Sequence, residues 1–124
     1  MFLLAQGLVT GAFQLVTPLD DAFPVLLEAT RMVPQHSLLH LGTGLLALAV
    51  LRRGSVRAAW VFALGFGAFY TALGVGGLAG GNPLGLGLQP FDHPFHLIAG
   101  VPGLVAAALG CRAVRPSGAS MERT

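Results

Sequence analysis

The chain contains no lysine, a single cysteine (Cys111), one tryptophan, one tyrosine and only five acidic residues among 124. One thiol excludes an intramolecular disulfide and any paired-cysteine metal or redox motif. Seven arginines carry all of the basic charge, and the formal net charge is +2. They stand at the ends of apolar runs and form no basic face, so the pI near 9.5 does not indicate nucleic-acid binding. No basic region precedes the first apolar run and no small-x-small site follows it, so a cleaved signal peptide is not expected. No Ser-His-Asp order, phosphate loop or paired-carboxylate pattern is present, and the chain is not expected to be an enzyme.

What is present is hydrophobic. Apolar residues make up 54% of the chain and charged residues 10%, and the mean hydropathy is +0.74. A soluble domain of this size needs more polar surface. From Ala58 to Phe91 there is no charged residue, a stretch longer than the roughly 20 apolar residues that cross a bilayer. The reading is a multi-pass protein whose principal partner is the lipid bilayer. Richness in Gly, Ala, Leu and Val, with arginine in place of lysine, points to a bacterial cell (inner) membrane.

The apolar runs predict spans at about 2–17, 36–51, 58–79 and 93–111, within one membrane domain over 1–111. The fold class is all-α, a transmembrane four-helix bundle. Residues 22–33 carry Glu28 and Arg31 and are too short to span; they read as an interfacial helix on the outer surface, capped by Asp21. The tail 112–124 reads as a cytoplasmic, disordered segment. Gln6, Thr10 and Gln14 make a polar stripe that should face other helices, beside the small pair Gly7 and Gly11. Ala68, Ala72, Gly76 and Gly80 recur every four residues and predict a close-packing face. Pro34 suits a helix start, Asp92 an N-cap, and Pro102 a mid-helix kink. Trp60 is expected near an interface, and Tyr70 reads as a buried aromatic with its hydroxyl bonded to a neighbour.

Arginine placement sets an orientation. Arg52, Arg53 and Arg57 lie between the second and third spans, and Arg112, Arg115 and Arg123 follow the fourth. The other two connections hold acids and the lone Arg31. The positive-inside rule puts both termini and the middle loop in the cytoplasm, and spans two and four then begin at the outer face.

A shift of 56 residues aligns the halves without a gap. Gly11-Ala12-Phe13 falls on Gly67-Ala68-Phe69, Pro34 on Pro90, His40-Leu41 on His96-Leu97, Gly44 on Gly100 and Gly54 on Gly110. Each half would hold two spans, so the prediction is two parallel two-helix repeats about an axis along the membrane normal. The segment His40-Leu41-x-x-Gly44 with its partner His96-Leu97-x-x-Gly100, set in four short Gly- and Leu-rich spans, resembles the DUF4383-like family of small four-span bacterial membrane proteins. That family often shows Asn-x-x-His-Leu at these places, where this chain has Ser37 and His93. The resemblance covers most of 1–111 and implies a four-span fold without an established activity.

All four histidines fall in two short segments opening spans two and four. His36 and His40 are four apart and His93 and His96 three apart, so each pair shares a helical face able to hold one metal. If the two helices are adjacent, four imidazoles could converge, with Asp92 as an outer-shell partner that fixes a tautomer. Imidazole-only ligation suits Zn, Cu(II), Ni or Fe. A second chemistry is bis-histidine haem ligation by His40 and His96, with Gly44 and Gly100 leaving room for the macrocycle. The bland alternative is interfacial histidines that only complete hydrogen bonds, in a small structural or accessory protein of unknown activity. A homodimer or an accessory subunit of a membrane complex are the protein partnerships open to such a chain.

Overall fold

The computed structural model describes residues 2–15 and 33–114, with the side chains at 13–14 and 112–114 left aside. Among the described residues the chain is all-helical, with four helices and no strand. They are α1 (Phe2–Leu15), α2 (Pro34–Arg53), α3 (Val56–Leu78) and α4 (Asp92–Val114), with a 3₁₀ turn at Pro83–Gly85. α3 and the Asp92–Cys111 part of α4 are each long and apolar enough to cross a membrane. α4 continues three residues past the predicted end of its span. The predicted interfacial helix at 22–33 lies outside the described residues except for Val33.

Local chemistry sets the helix ends. Pro34 opens α2, where its missing N–H costs nothing. α2 closes on Gly54, whose φ of 61° is the left-handed conformation glycine adopts without a Cβ penalty. One residue later Ser55 caps α3 by accepting the Ala58 N–H at 3.3 Å. Gln89 is held before α4 in a different way from the predicted N-cap. Asp92 lies within the first turn, and its Oδ2 reaches back to accept the Gln89 N–H at 2.7 Å. The connection between α3 and α4 folds on itself, with Asn82 Oδ1 accepting the Gly87 N–H at 2.9 Å. This places Leu86 inside.

α1 packs along α2, α3 packs more extensively along α4, and α2 touches α3. Phe2 reaches Phe95 at 5.5 Å between ring centroids, so α1 also meets α4. Glycine makes the close approaches. On α3 the buried face is Gly67, Tyr70, Leu73, Gly74 and Gly77. This corrects the expectation from Ala68, Ala72, Gly76 and Gly80: Ala68 and Ala72 are exposed. Both sets have helical spacing, the buried one in steps of three and four, and only the partner helix distinguishes them. Trp60 Nε1 donates to the Ala107 carbonyl at 2.7 Å and ties α3 to α4. Thr10 fulfils part of the polar-stripe expectation, its hydroxyl lying 2.9 Å from that of Ser37 on α2.

The two close pairs touch at corresponding places. A Cβ on Gly7 would run into the Ser37 carbonyl and the Leu41 backbone, and one on Gly74 into the His93 carbonyl and Leu97. Gly44 lies against the backbone of Leu4, and Gly100 against that of Thr71. On α2 and α4 these positions are 56 apart, matching the sequence shift. On α1 and α3 they are 67 apart, as Gly7 and Gly74 or Leu4 and Thr71. The extra 11 residues are about three helical turns, so the same face is presented at a different register. The ungapped pairing of Gly11 with Gly67 is thereby corrected: Gly67 sits against Gly100 and Leu104, while a Cβ on Gly11 would meet open space.

Candidate metal centre

His36 and His40 project from one face of α2, and His96 comes to meet them from α4. All three rings have no solvent exposure. One ring nitrogen from each can be chosen so that the three lie within 4.8 Å of one another. Ring centroids are 4.5 Å apart for His36 and His40, 5.4 Å for His36 and His96, and 5.9 Å for His40 and His96. Neither nitrogen of any of the three rings has a hydrogen-bond partner. Imidazole presents one donor and one acceptor when neutral, so six polar atoms are buried without satisfaction. Such groups are normally paired, and leaving each unpaired costs about 1–3 kcal/mol.

Asp92 is the one acid among the described residues, and only 4% of it is exposed. Its Oδ2 lies 3.9 Å from His36 Nδ1. That separation is too long for a hydrogen bond; a carboxylate drawn closer to Nδ1 would leave Nε2 for a ligand and set the ring's tautomer, the arrangement common around metal-bound histidine. The carboxylate stands beside the three-imidazole cluster and is not among its converging ligand atoms.

His93 does not join them. Its ring fills the space left by the missing Cβ of Gly77 on α3, and its Nδ1 is buried without a partner. Three apart on α4, His93 and His96 diverge because α3 takes the first and α2 the second.

The walls of the site come from residues to which sequence reasoning gave no part in it. Tyr70 of α3 is fully buried and lies 5.2 Å from His96 and 6.0 Å from His40, centroid to centroid. Its hydroxyl is 3.0 Å from Thr43 Oγ1. Since Thr43 donates to the Leu39 carbonyl at 2.8 Å, Tyr70 is the donor between them. Phe95 closes another side, 5.9 Å from His96 and 6.1 Å from His40. The signal available in the sequence was that Tyr70 is the only tyrosine, set in a run of residues with no charge.

Chemically, three convergent neutral imidazoles with no competing hydrogen bonds form a ligand set for one transition-metal ion. Bonds of about 2.0–2.1 Å draw such nitrogens to roughly 3.3 Å apart, a contraction within reach of small side-chain rotations. A macrocycle between His40 and His96 is another matter, because His36, Tyr70 and Phe95 already fill that space. No protein-family model, curated protein or solved structure matches this chain.

Proposed function

We propose that this chain is a four-span membrane protein that holds one transition-metal ion at His36, His40 and His96. The carrying observation is the convergence of three buried imidazoles whose six nitrogens lack partners. A purely structural role would leave those fully enclosed atoms uncompensated; a bound ion converts three of them into ligands. Asp92 orients His36 from outside the ligand set.

Exposure of the helices supports the membrane reading. Only 28% of the apolar window of α3 and 17% of that of α4 are buried within the bundle, where the core helix of a soluble protein is mostly covered. Leu15, Leu38, Leu51, Ile98 and Leu109 are all more than half exposed, which fits surfaces solvated by lipid. In this reading both termini are cytoplasmic, and the metal lies toward the outer ends of α2 and α4. The corresponding contacts of the two helix pairs support a parallel repeat, with 56 residues relating α2 to α4 and 67 relating α1 to α3. The resemblance to DUF4383-like proteins belongs to the same proposal. The role is binding, as a carrier or an accessory subunit, and no catalytic step is assigned.

The test is purification in detergent, elemental analysis and a visible spectrum. About one bound transition metal per chain, lost in the His40→Ala/His96→Ala variant, with no Soret band, is the expected result. A strong Soret band would replace this reading with the haem reading. Absence of any metal, with thermal stability unmoved by added Zn, Cu or Ni, would return the histidines to a structural role.

A further inference from the structure

We infer that the ion selected by this site is monovalent copper, an inference that rests on the metal-binding reading above. Two independent features of the site carry it, the number of ligands and the charge.

Three imidazole nitrogens converge, and no fourth His, Cys, Asp or Glu atom among the described residues joins them. Zinc in a closed site takes four ligands, and with three histidines it completes its shell with water. The three rings here are fully enclosed, with Tyr70 and Phe95 packed against them. Cu(II) and Ni(II) favour square-planar or tetragonal shells of four or more ligands. Cu(I) has a filled d shell, imposes no such geometry and is stable with three neutral nitrogen ligands. A sealed tripod of imidazoles therefore matches its coordination number without help from solvent.

Charge gives the same answer. The imidazole ligands are neutral, and the one acid among the described residues is Asp92, itself buried and 3.9 Å from His36. A monovalent ion with one ionised carboxylate makes a neutral ensemble. Among the described residues a divalent ion finds no second acid, which leaves one positive charge uncompensated by them, and unpaired buried charge is costly. Hydroxide could balance a divalent ion, but it needs room and solvent access that three enclosed rings do not provide.

The experiment uses the full chain, purified metal-free in detergent and kept anaerobic. Cu(I), held reduced by ascorbate, is titrated against a chromophoric Cu(I) chelator, and Zn(II) is titrated separately against a fluorescent chelator. Expected are one Cu(I) per chain, silent in electron paramagnetic resonance, and affinity for Cu(I) at least about 100-fold above that for Zn(II). Asp92→Asn should weaken Cu(I) binding by roughly tenfold or more, with thermal unfolding followed in parallel. Zn(II) bound as tightly as Cu(I), or Cu(I) binding unaffected in a folded Asp92→Asn variant, overturns the copper assignment and leaves the three-histidine site standing. Binding of neither ion to folded protein overturns the site itself. Should Asp92→Asn fail to fold, the wild-type ratio of the two affinities decides alone.

Discussion

His36 Nδ1 lies 3.9 Å from Asp92 Oδ2, and the two residues are 56 apart in sequence, as are His40 and His96. Two pairs with one offset thus meet between α2 and α4. A two-fold relation between the helices, as in the proposed parallel repeat, would produce this near its axis, where a position and its equivalent approach each other. The candidate centre stands at that meeting place. Its asymmetry is chemical, because one helix contributes histidine where the other contributes aspartate, giving three imidazoles and one carboxylate in place of a matched set.

His93 lies three residues before His96 on α4 but faces Gly77 of α3. His93→Ser, which installs the residue found at the equivalent place on α2 (Ser37), should leave metal stoichiometry unchanged. His96→Ala should abolish it. Elemental analysis of the two purified variants distinguishes a three-histidine site from the four-histidine site that spacing alone suggested. Loss of metal in His93→Ser would count against the three-ligand assignment.

Much of this was legible in the residues. The helices α2, α3 and α4 begin and end within three residues of the apolar runs read from the sequence, because proline, glycine and arginine mark the ends of those runs. The meeting of His36, His40 and His96 was legible only as a possibility. Spacing three or four apart places two rings on a helical face but does not say which neighbour that face meets. Spacing therefore grouped His93 with His96, whereas its ring lies against Gly77 of α3. The 67-residue spacing between the matching contacts of α1 and α3 was not legible, because the Gly-Ala-Phe identity favoured 56 and an 11-residue difference that preserves the helical face has no marker in a Gly- and Leu-rich sequence.

Gly77 gives way to the His93 ring, and a Cβ there would overlap the imidazole. Gly77→Ala should therefore destabilise the fold by about 1–3 kcal/mol through overpacking. The equivalent positions of the other helix pair are Thr10 and Ser37, which fit together with their hydroxyls 2.9 Å apart. Adding His93→Ser to Gly77→Ala should accordingly recover most of the loss. Thermal unfolding of both singles and the double in detergent measures this coupling, and additive effects would show that the contact is not what the substitution disturbs.

The face of α3 toward α4 is equally testable. A Cβ at Gly67 would come within 2.5 Å of the Leu104 backbone nitrogen, and backbone cannot rotate aside. Gly67→Ala should cost about 1–3 kcal/mol even after its gain in helix propensity. Ala72→Leu, on the exposed side, should fall within about 0.5 kcal/mol of the parent. Reversal of the two effects in detergent unfolding would restore the stripe of Ala68, Ala72, Gly76 and Gly80 as the packing face.

Tyr70 walls the centre without belonging to its converging ligand atoms. Tyr70→Phe keeps the ring beside His40 and His96 and removes only the hydroxyl bonded to Thr43. Thr43 keeps its bond to the Leu39 carbonyl. The expected loss is about 0.5–1.5 kcal/mol in stability, with one metal still bound per chain. Loss of the metal, read by elemental analysis, would make Tyr70 a ligand.

The proposed topology puts the connection between α3 and α4 outside the cell and the arginine-flanked turn between α2 and α3 inside. In a Cys111→Ser background, cysteine at exposed Gln89 and cysteine at exposed Arg53 probe the two sides. A membrane-impermeant maleimide added to intact cells should label the Gln89→Cys chain and spare the Arg53→Cys chain until the membrane is opened. The sign rests on three arginines, Arg52, Arg53 and Arg57, retained on the cytoplasmic side against a connection without basic residues. The converse labelling pattern would invert the protein, placing the three histidines at the cytoplasmic ends of α2 and α4 and supplying their metal from inside the cell.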